Sequence, residues 1–247
     1  MTLLRLWRPS LQIDTERYDA VTFDCYGTLI DWDTGVADVF GPWAAAGGFP
    51  GTVSDLTAAF ARQQHSHQRA RPFRNYRRVI RDALADAVAE LGGTITPDDL
   101  DVFAASVGSW PAFADTIDAL RHLKRRGLHL GVVSNVDDAS FRDTHCRLGG
   151  LIDTVVTAEM AKAYKPDLEM FNALFGALKQ VGIPLERVLH VAQSRYHDIA
   201  PANELGLDVV WIDRRHGRPG QGVTVHSDAA PMLRFDNLEE LCAALKP

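Results

Sequence analysis

Short, almost wholly apolar runs recur along the chain at Ala20–Phe23, 128–133, Thr154–Thr157, Val188–Ala192 and 209–212. Runs of four to six apolar residues bounded by polar ones have the length of strands buried on both faces. Most are separated by segments of helical spacing. Residues 115–126 carry Ile117, Leu120 and Leu123 on one face and stop at Gly127. Residues 166–181 carry Met170, Phe171, Leu174, Phe175 and Leu178 and stop at Gly182. Glycine just past a last turn is a favoured stop, because it enters the left-handed region freely. Strands alternating with such helices predict an α/β fold built on a doubly wound parallel sheet. The interval 33–110 departs from this rhythm. It has helical spacing, as in Tyr76, Val79, Ile80, Ala83, Leu84, Ala87, Val88 and Leu91, and almost no strand signal. It reads as a helical cap (33–110) inserted into a core domain made of 1–32 and 111–247.

Ligands bind outside the carboxyl ends of the strands in an open parallel sheet. Four polar sites fall there by periodicity: Asp24 after the first run, Ser134-Asn135 after the second, Lys165 after the third and Asp198 after the fourth. Each has an ordinary structural reading, as turn, cap or solvated residue. A carboxylate, a hydroxyl–amide pair, an ammonium and a second carboxylate on four strand ends together form a reactive constellation.

Bulk properties narrow the possibilities. The chain has 247 residues, of which 46% are hydrophobic and 23% charged, enough for one large α/β domain or a core with an insertion. A net charge of −6 lacks the basic footprint of a nucleic-acid binder. Cys25, Cys146 and Cys242 are too scattered for a metal site or a disulfide framework. Together with the absence of a signal-peptide core in 1–17 and of any membrane-length apolar run, this predicts a cytoplasmic protein. The Gly- and Arg-rich stretch 214–222 reads as a mobile surface loop.

The stretch Phe23-Asp24-Cys25-Tyr26-Gly27-Thr28-Leu29-Ile30-Asp31-Trp32 resembles the nucleophile motif of the haloacid dehalogenase-like (HAD) hydrolase superfamily, and in particular its 2-haloacid dehalogenase (type II) branch. Ser134, Lys165 and Asp198 follow in the order of the superfamily's later motifs, so the resemblance covers nearly all of the chain from Tyr18 onward. Phosphatases of the superfamily carry a second aspartate as general acid where this chain has Tyr26. Expelling an alkoxide needs a proton donor beside it, whereas a halide leaves without one. The resemblance therefore implies an aspartate nucleophile that displaces a substituent, expected to be halide, from C2 of a small anionic carboxylate through an aspartyl ester.

The roles implied by the resemblance are Asp24 as nucleophile, Lys165 holding it ionised, Asp198 positioning the hydrolytic water and Arg62 receiving the halide. Arg62 lies in Ala59-Phe60-Ala61-Arg62-Gln63-Gln64, which looks like the dehalogenase segment with that arginine; a solvated helix face is its other reading. The implied pocket comprises Cys25, Tyr26, Thr28, Ser134, Asn135, Gln63, Arg195 and His197. No cofactor is implied, and a homodimer is one assembly the family commonly adopts. Four positions depart from characterised 2-haloacid dehalogenases, which have tyrosine at Phe171, serine at Gln193, asparagine at Arg195 and tryptophan at His197. Two other readings stand beside this one. A Mg²⁺-dependent phosphatase acting on a small metabolite would use Asp24 and Asp198 as ligands, with Asp137 and Asp138 supplementing their charge. A binding protein without turnover is the other.

Overall fold

The computed structural model describes residues 12–216 and 226–246. Stretch 217–222 of the expected surface loop, and most of the N-terminal segment 1–17, lie outside them. The centre is a six-stranded sheet of β2 (Ala20–Phe23), β3 (His129–Ser134), β4 (Thr154–Thr157), β5 (Val188–Ala192), β6 (Asp208–Ile212) and β7 (Leu233–Phe235). The strands are all parallel, in the order β4-β3-β2-β5-β6-β7. From β2 the chain winds outward to β3 and β4, then returns to the other side for β5, β6 and β7. The switch point, where ligands bind in such sheets, lies at the carboxyl ends of β2 and β5. A second parallel pair joins β1 (Ile13–Asp14) to β8 (Leu245–Lys246).

Every residue of β2 and β5 is buried, as a strand covered on both sides requires. The covering helices are α5 (Thr116–Arg125), α6 (Asp138–Arg147), α7 (Ala158–Ala161), α8 (Leu168–Gln180), α9 (Ala200–Glu204) and α10 (Leu238–Ala244). Helices α5 and α8 lead into Gly127 and Gly182, which adopt φ of 80° and 82°. Strand β7 escapes the sequence pattern because its three residues include the charged Arg234.

Between β2 and β3 the chain forms α1 (Trp32–Trp43), α2 (Val53–Arg69), α3 (Tyr76–Glu90) and α4 (Pro97–Ser106), with no strand in this interval. The α3 residues Tyr76, Val79, Ile80, Ala83, Leu84, Ala87 and Val88 are buried, following the helical period. Each of the first three helices begins on a side chain that accepts an N-terminal amide hydrogen bond: Asp31, Thr52 and Asn75. Phe40, Phe60 and Phe103 from α1, α2 and α4 pack with centroids 5.0–5.9 Å apart. This cluster joins the sheet through Trp32, which stacks on Phe60 at 5.9 Å and meets Trp110 edge-on at 5.9 Å. Trp110 in turn lies 5.8 Å from Tyr26, in the turn after β2. An unbroken aromatic path thus connects the helices to the loop that bears Asp24.

The path requires a missing side chain. A Cβ on Gly35 of α1 would stand 2.3 Å from Trp110 Cγ, so only glycine admits the indole here. Gly35→Ala is expected to lower stability by about 1–3 kcal/mol despite alanine's better helix propensity. Chemical denaturation of the two proteins checks this, and an unchanged or raised midpoint would show that the indole relaxes freely.

Candidate active site

The turn after β2 is drawn tight by its own backbone. The Cys25 carbonyl accepts hydrogen bonds from the Thr28, Leu29 and Ile30 amides, and Gly27 takes φ of 96°. This geometry returns Thr28 to the nucleophile position, where its Oγ1 donates to Asp24 Oδ2 at 2.6 Å. The same Oγ1 accepts from the Gln193 amide at 2.9 Å, so its proton is committed to Asp24. The Thr28 carbonyl is held from behind by Arg214, whose Nε and Nη2 donate at 3.0 and 2.9 Å while Nη1 pairs with Asp115. Arg214 is therefore a buried anchor of the turn, with a side chain 8% exposed, rather than the start of a loose surface loop.

Lys165 lies at the centre. Its Nζ donates to Asp24 Oδ1 and to Asp198 Oδ1, both at 2.7 Å, and its residue is 2% exposed. Asn135 fixes the lysine backbone in both directions: Oδ1 accepts from the Lys165 amide at 2.7 Å, and Nδ2 donates to its carbonyl at 3.1 Å. Asp198 is fully buried in the turn after β5 and also meets His190 Nε2 at 3.2 Å. The other His190 ring nitrogen faces Thr22 Oγ1 at 3.0 Å. Sequence reasoning missed His190, although its signal is visible: one polar residue inside the otherwise apolar strand Val188–Ala192. It ties the second carboxylate to the strand that carries the first.

One ammonium serves two carboxylates, and they divide its effect unequally. Burial pushes the Asp24 carboxyl above its usual value, opposed by Lys165, reinforced by the charge of Asp198 and opposed again by Thr28. At Asp198 burial acts upward too, but Lys165 and His190 together bring it below the usual range. Burial alone would lower the Lys165 ammonium, and its two anionic partners reverse this. The lowering expected from Lys165 thus appears at Asp198, not at Asp24. Burial holds the His197 imidazole down to about 4, so it is neutral at pH 7.

Asp24, Lys165 and Asp198 open into a cavity of about 520 Å³ of free space out to bulk solvent, with Tyr26, Ser134, Asn135 and His197 also in its wall. Four buried polar atoms lining it have no protein partner: Ser134 Oγ, His197 Nε2, Asp198 Oδ2 and Gln64 Oε1. Convergent unpaired polar groups of this kind mark a site shaped for a polar occupant. The Tyr26 hydroxyl is engaged with Thr144 Oγ1 at 2.7 Å, and burial pushes its pKa well upward.

The structure corrects several expected positions. Leu56, Phe60, Gln64 and Gln68 follow one face of α2 at four-residue steps, and this face turns polar as it reaches the cavity, where Gln64 and Gln68 form part of the wall. Arg62 lies half a turn away. It is 60% exposed and paired with Glu90, to which Gln63 Nε2 also donates at 2.9 Å, so neither residue lines the cavity. Cys25 is wholly buried and contributes its carbonyl to the turn, and Thr28 stands behind Asp24. Arg195 stacks over Trp211, 4.8 Å from the ring centroid, outside the wall. Phe171 packs edge-on to His190 at 5.4 Å. Trp32, Tyr76 and Ser194 are further wall residues that sequence reasoning did not single out.

The fit of Mg²⁺ can be judged from the donor set. Asp24 Oδ1 and Asp198 Oδ1 bind Lys165 and Asp24 Oδ2 binds Thr28, leaving Asp198 Oδ2 as the free carboxylate oxygen of the pair. Asp137 is spent capping Ser140, and Asp138 is bonded to Thr157. No group of three or more His, Cys, Asp or Glu suited to a metal occurs among the described residues. A hard cation that needs several oxygen ligands is poorly matched here.

A carboxylate–ammonium–carboxylate set at the switch point of a parallel sheet stands where α/β enzymes place their reactive groups. Residues 18–206 match the haloacid dehalogenase-like hydrolase family, and the chain belongs to it. An (S)-2-haloacid dehalogenase of Pseudomonas putida is 27% identical over 227 residues, 90% of this chain and 93% of that protein. A glyceraldehyde 3-phosphate phosphatase of Methanocaldococcus jannaschii is 36% identical over 136 residues, 54% of this chain and 56% of its own. The fold is similar to that of the L-2-haloacid dehalogenase from Xanthobacter autotrophicus, with a TM-score of 0.77 at 20% identity, covering 92% of this chain and 97% of that one.

Removing the shared cation leaves two buried carboxylates facing each other. Lys165→Met is expected to cost about 3–5 kcal/mol at pH 7, measured by denaturant unfolding. Lowering the pH should recover part of this loss as one carboxylate protonates; a cost below about 1 kcal/mol would show that solvent already screens the pair.

Proposed function

We propose that the chain is a metal-independent hydrolase that displaces a substituent, halide in the first instance, from C2 of a small carboxylic acid. The observation that carries this reading is the division of labour around Asp24. Both of its oxygens are hydrogen-bonded by groups that orient a carboxylate, while the nearby Tyr26 hydroxyl is tied to Thr144 and is no acid for an alkoxide. The similarity to (S)-2-haloacid dehalogenases over nine-tenths of the chain supports the carbon–halogen bond as the target.

In this reading the substrate carboxylate is received by Ser134 Oγ, which has no other partner, and by the Lys165–Asn135 wall. An Asp24 oxygen attacks C2 from the side opposite the halogen. The C–O bond forms as the carbon–halogen bond breaks, and the halide departs with its electron pair. Gln64, Gln68 and Tyr76 line the wall with neutral donors that take the place assigned to Arg62 by resemblance. Water then attacks the ester carbonyl of Asp24. Asp198 Oδ2, buried and unpartnered, accepts its proton and returns it to the departing C2 oxygen, so the 2-hydroxy acid leaves, Asp24 is regenerated and its carboxyl proton passes to solvent. The helical interval 33–110 acts as a cap that supplies the outer wall through α2 and α3. The free cysteines Cys25, Cys146 and Cys242 accord with a cytoplasmic setting.

Halide release from short 2-halocarboxylates, assayed with EDTA present, tests the proposal. Wild type is expected to turn over, and Asp24→Asn to lose about ten-thousandfold or more of that rate while still folding. Release abolished by the chelator would overturn the metal-independent step, and Mg²⁺-dependent phosphate release from small phosphate esters in place of halide release would favour the phosphatase. Because Asp24 is raised by burial and must be ionised to attack, kcat/KM should fall as pH drops, at a pH above the ordinary carboxylate value of 3.8. With His197 held near 4, this imidazole should contribute no inflection at 6.5, the ordinary histidine value. A limb centred there in wild type but lost in His197→Gln would show that His197 titrates as an exposed imidazole does.

A further inference from the structure

Next to the reactive cavity lies a second one, also with about 520 Å³ of free space out to bulk solvent. Gln68 and Lys165 belong to the walls of both, so the two lie side by side. The outer one is further lined by His65 and the exposed Arg69 of α2 and by Tyr164, Asp167 and Tyr196, and it opens to solvent.

The charges in the two cavities are unequally committed. In the inner one, two carboxylates share one ammonium, which leaves a deficit of one positive charge where an anionic substrate must enter. In the outer one, Arg71 is spent on Asp167 and on the carbonyls of Gln68, Arg69 and Ala70, the last of α2. Arg69 is thereby relieved of capping its own helix. Its guanidinium donates to the Tyr196 hydroxyl at 3.3 Å and has no carboxylate partner among the described residues. Burial, then the charge of Arg69, keep the neighbouring His65 imidazole below its usual value, so Arg69 is the uncommitted cation here. Arginine's fork matches a planar carboxylate.

We propose that the outer cavity is a second substrate subsite, in which Arg69 holds a distal anionic group. The substrate class is then a 2-substituted dicarboxylate, or another acid with an anion at the far end of a short chain. C2 sits at Asp24 and the tail passes Gln68. This rests on the displacement reading above, and it adds a preference that a two- or three-carbon monoacid cannot satisfy.

The test compares (S)-2-chloropropionate with (S)-2-chlorosuccinate in wild type, Arg69→Gln and Arg69→Lys, with circular dichroism confirming the fold. Wild type is expected to favour the diacid in kcat/KM by about tenfold or more. Arg69→Gln should remove that preference, mainly through KM, and Arg69→Lys should keep part of it. Equal handling of the two acids by wild type, or a preference that survives Arg69→Gln, would overturn the proposal. Calorimetric binding of malate and lactate gives a readout that needs no turnover. If neither haloacid reacts, the displacement reading fails. The subsite then stands if malate binds wild type more tightly than lactate and loses that advantage in Arg69→Gln, and it falls if it does not.

Discussion

Two carboxylates from different strands converge on one buried ammonium, and most of the structure can be understood as what that convergence requires. Lys165 reaches Asp24 and Asp198 at 2.7 Å each because β2 and β5 are adjacent and the lysine backbone is clamped by Asn135. A buried charge without a partner costs several kcal/mol, so each member makes the others affordable. Since one positive charge cannot satisfy two negatives, the surplus is absorbed unevenly. His190 helps Asp198 stay ionised, while Asp24 bears the upward push of burial. A carboxylate held ionised less firmly is a better electron donor toward carbon than one fully neutralised by its surroundings. The two carboxylates thus acquire different characters from one shared cation.

The core was legible because parallel strands buried on both faces are written as apolar runs. Ala20–Phe23, Thr154–Thr157 and Val188–Ala192 appear in the fold with the boundaries read from the sequence. Asp24 and Ser134 at the ends of β2 and β3, and Lys165 and Asp198 in the segments that follow β4 and β5, meet in one wall because strand order, not sequence distance, sets their spacing. Strand β7 was hidden by its brevity and by Arg234. His190 was hidden because a buried imidazole in a strand reads as a blemish until its partner, eight residues away, is seen.

The helical interval was harder to read for a physical reason. Periodicity marks the face of α2 that is buried but not what that face meets. Phe60 and Gln68 share a face, one against aromatic rings and the other against a polar cavity. The similarity of a short segment pointed to Arg62, and the helix turns that residue toward Glu90. The aromatic path from Phe60 through Trp32 and Trp110 to Tyr26 couples the placement of these helices to the turn that bears Asp24. Of the helical interval, α2 brings the most polar side chains to the two cavities, its Gln64 and Gln68 to one and His65, Gln68 and Arg69 to the other.

The central claim is that Asp24 becomes covalently bonded to the substrate and is freed by water. A single turnover in ¹⁸O-water, with enzyme in excess over a 2-halocarboxylate, tests this directly by mass spectrometry of the peptide containing Asp24. Attack of water on the ester carbonyl places the label in the Asp24 carboxylate and leaves the product's new hydroxyl unlabelled. Label in the product hydroxyl with none in Asp24 would mean that water attacks carbon itself, and would contradict the account.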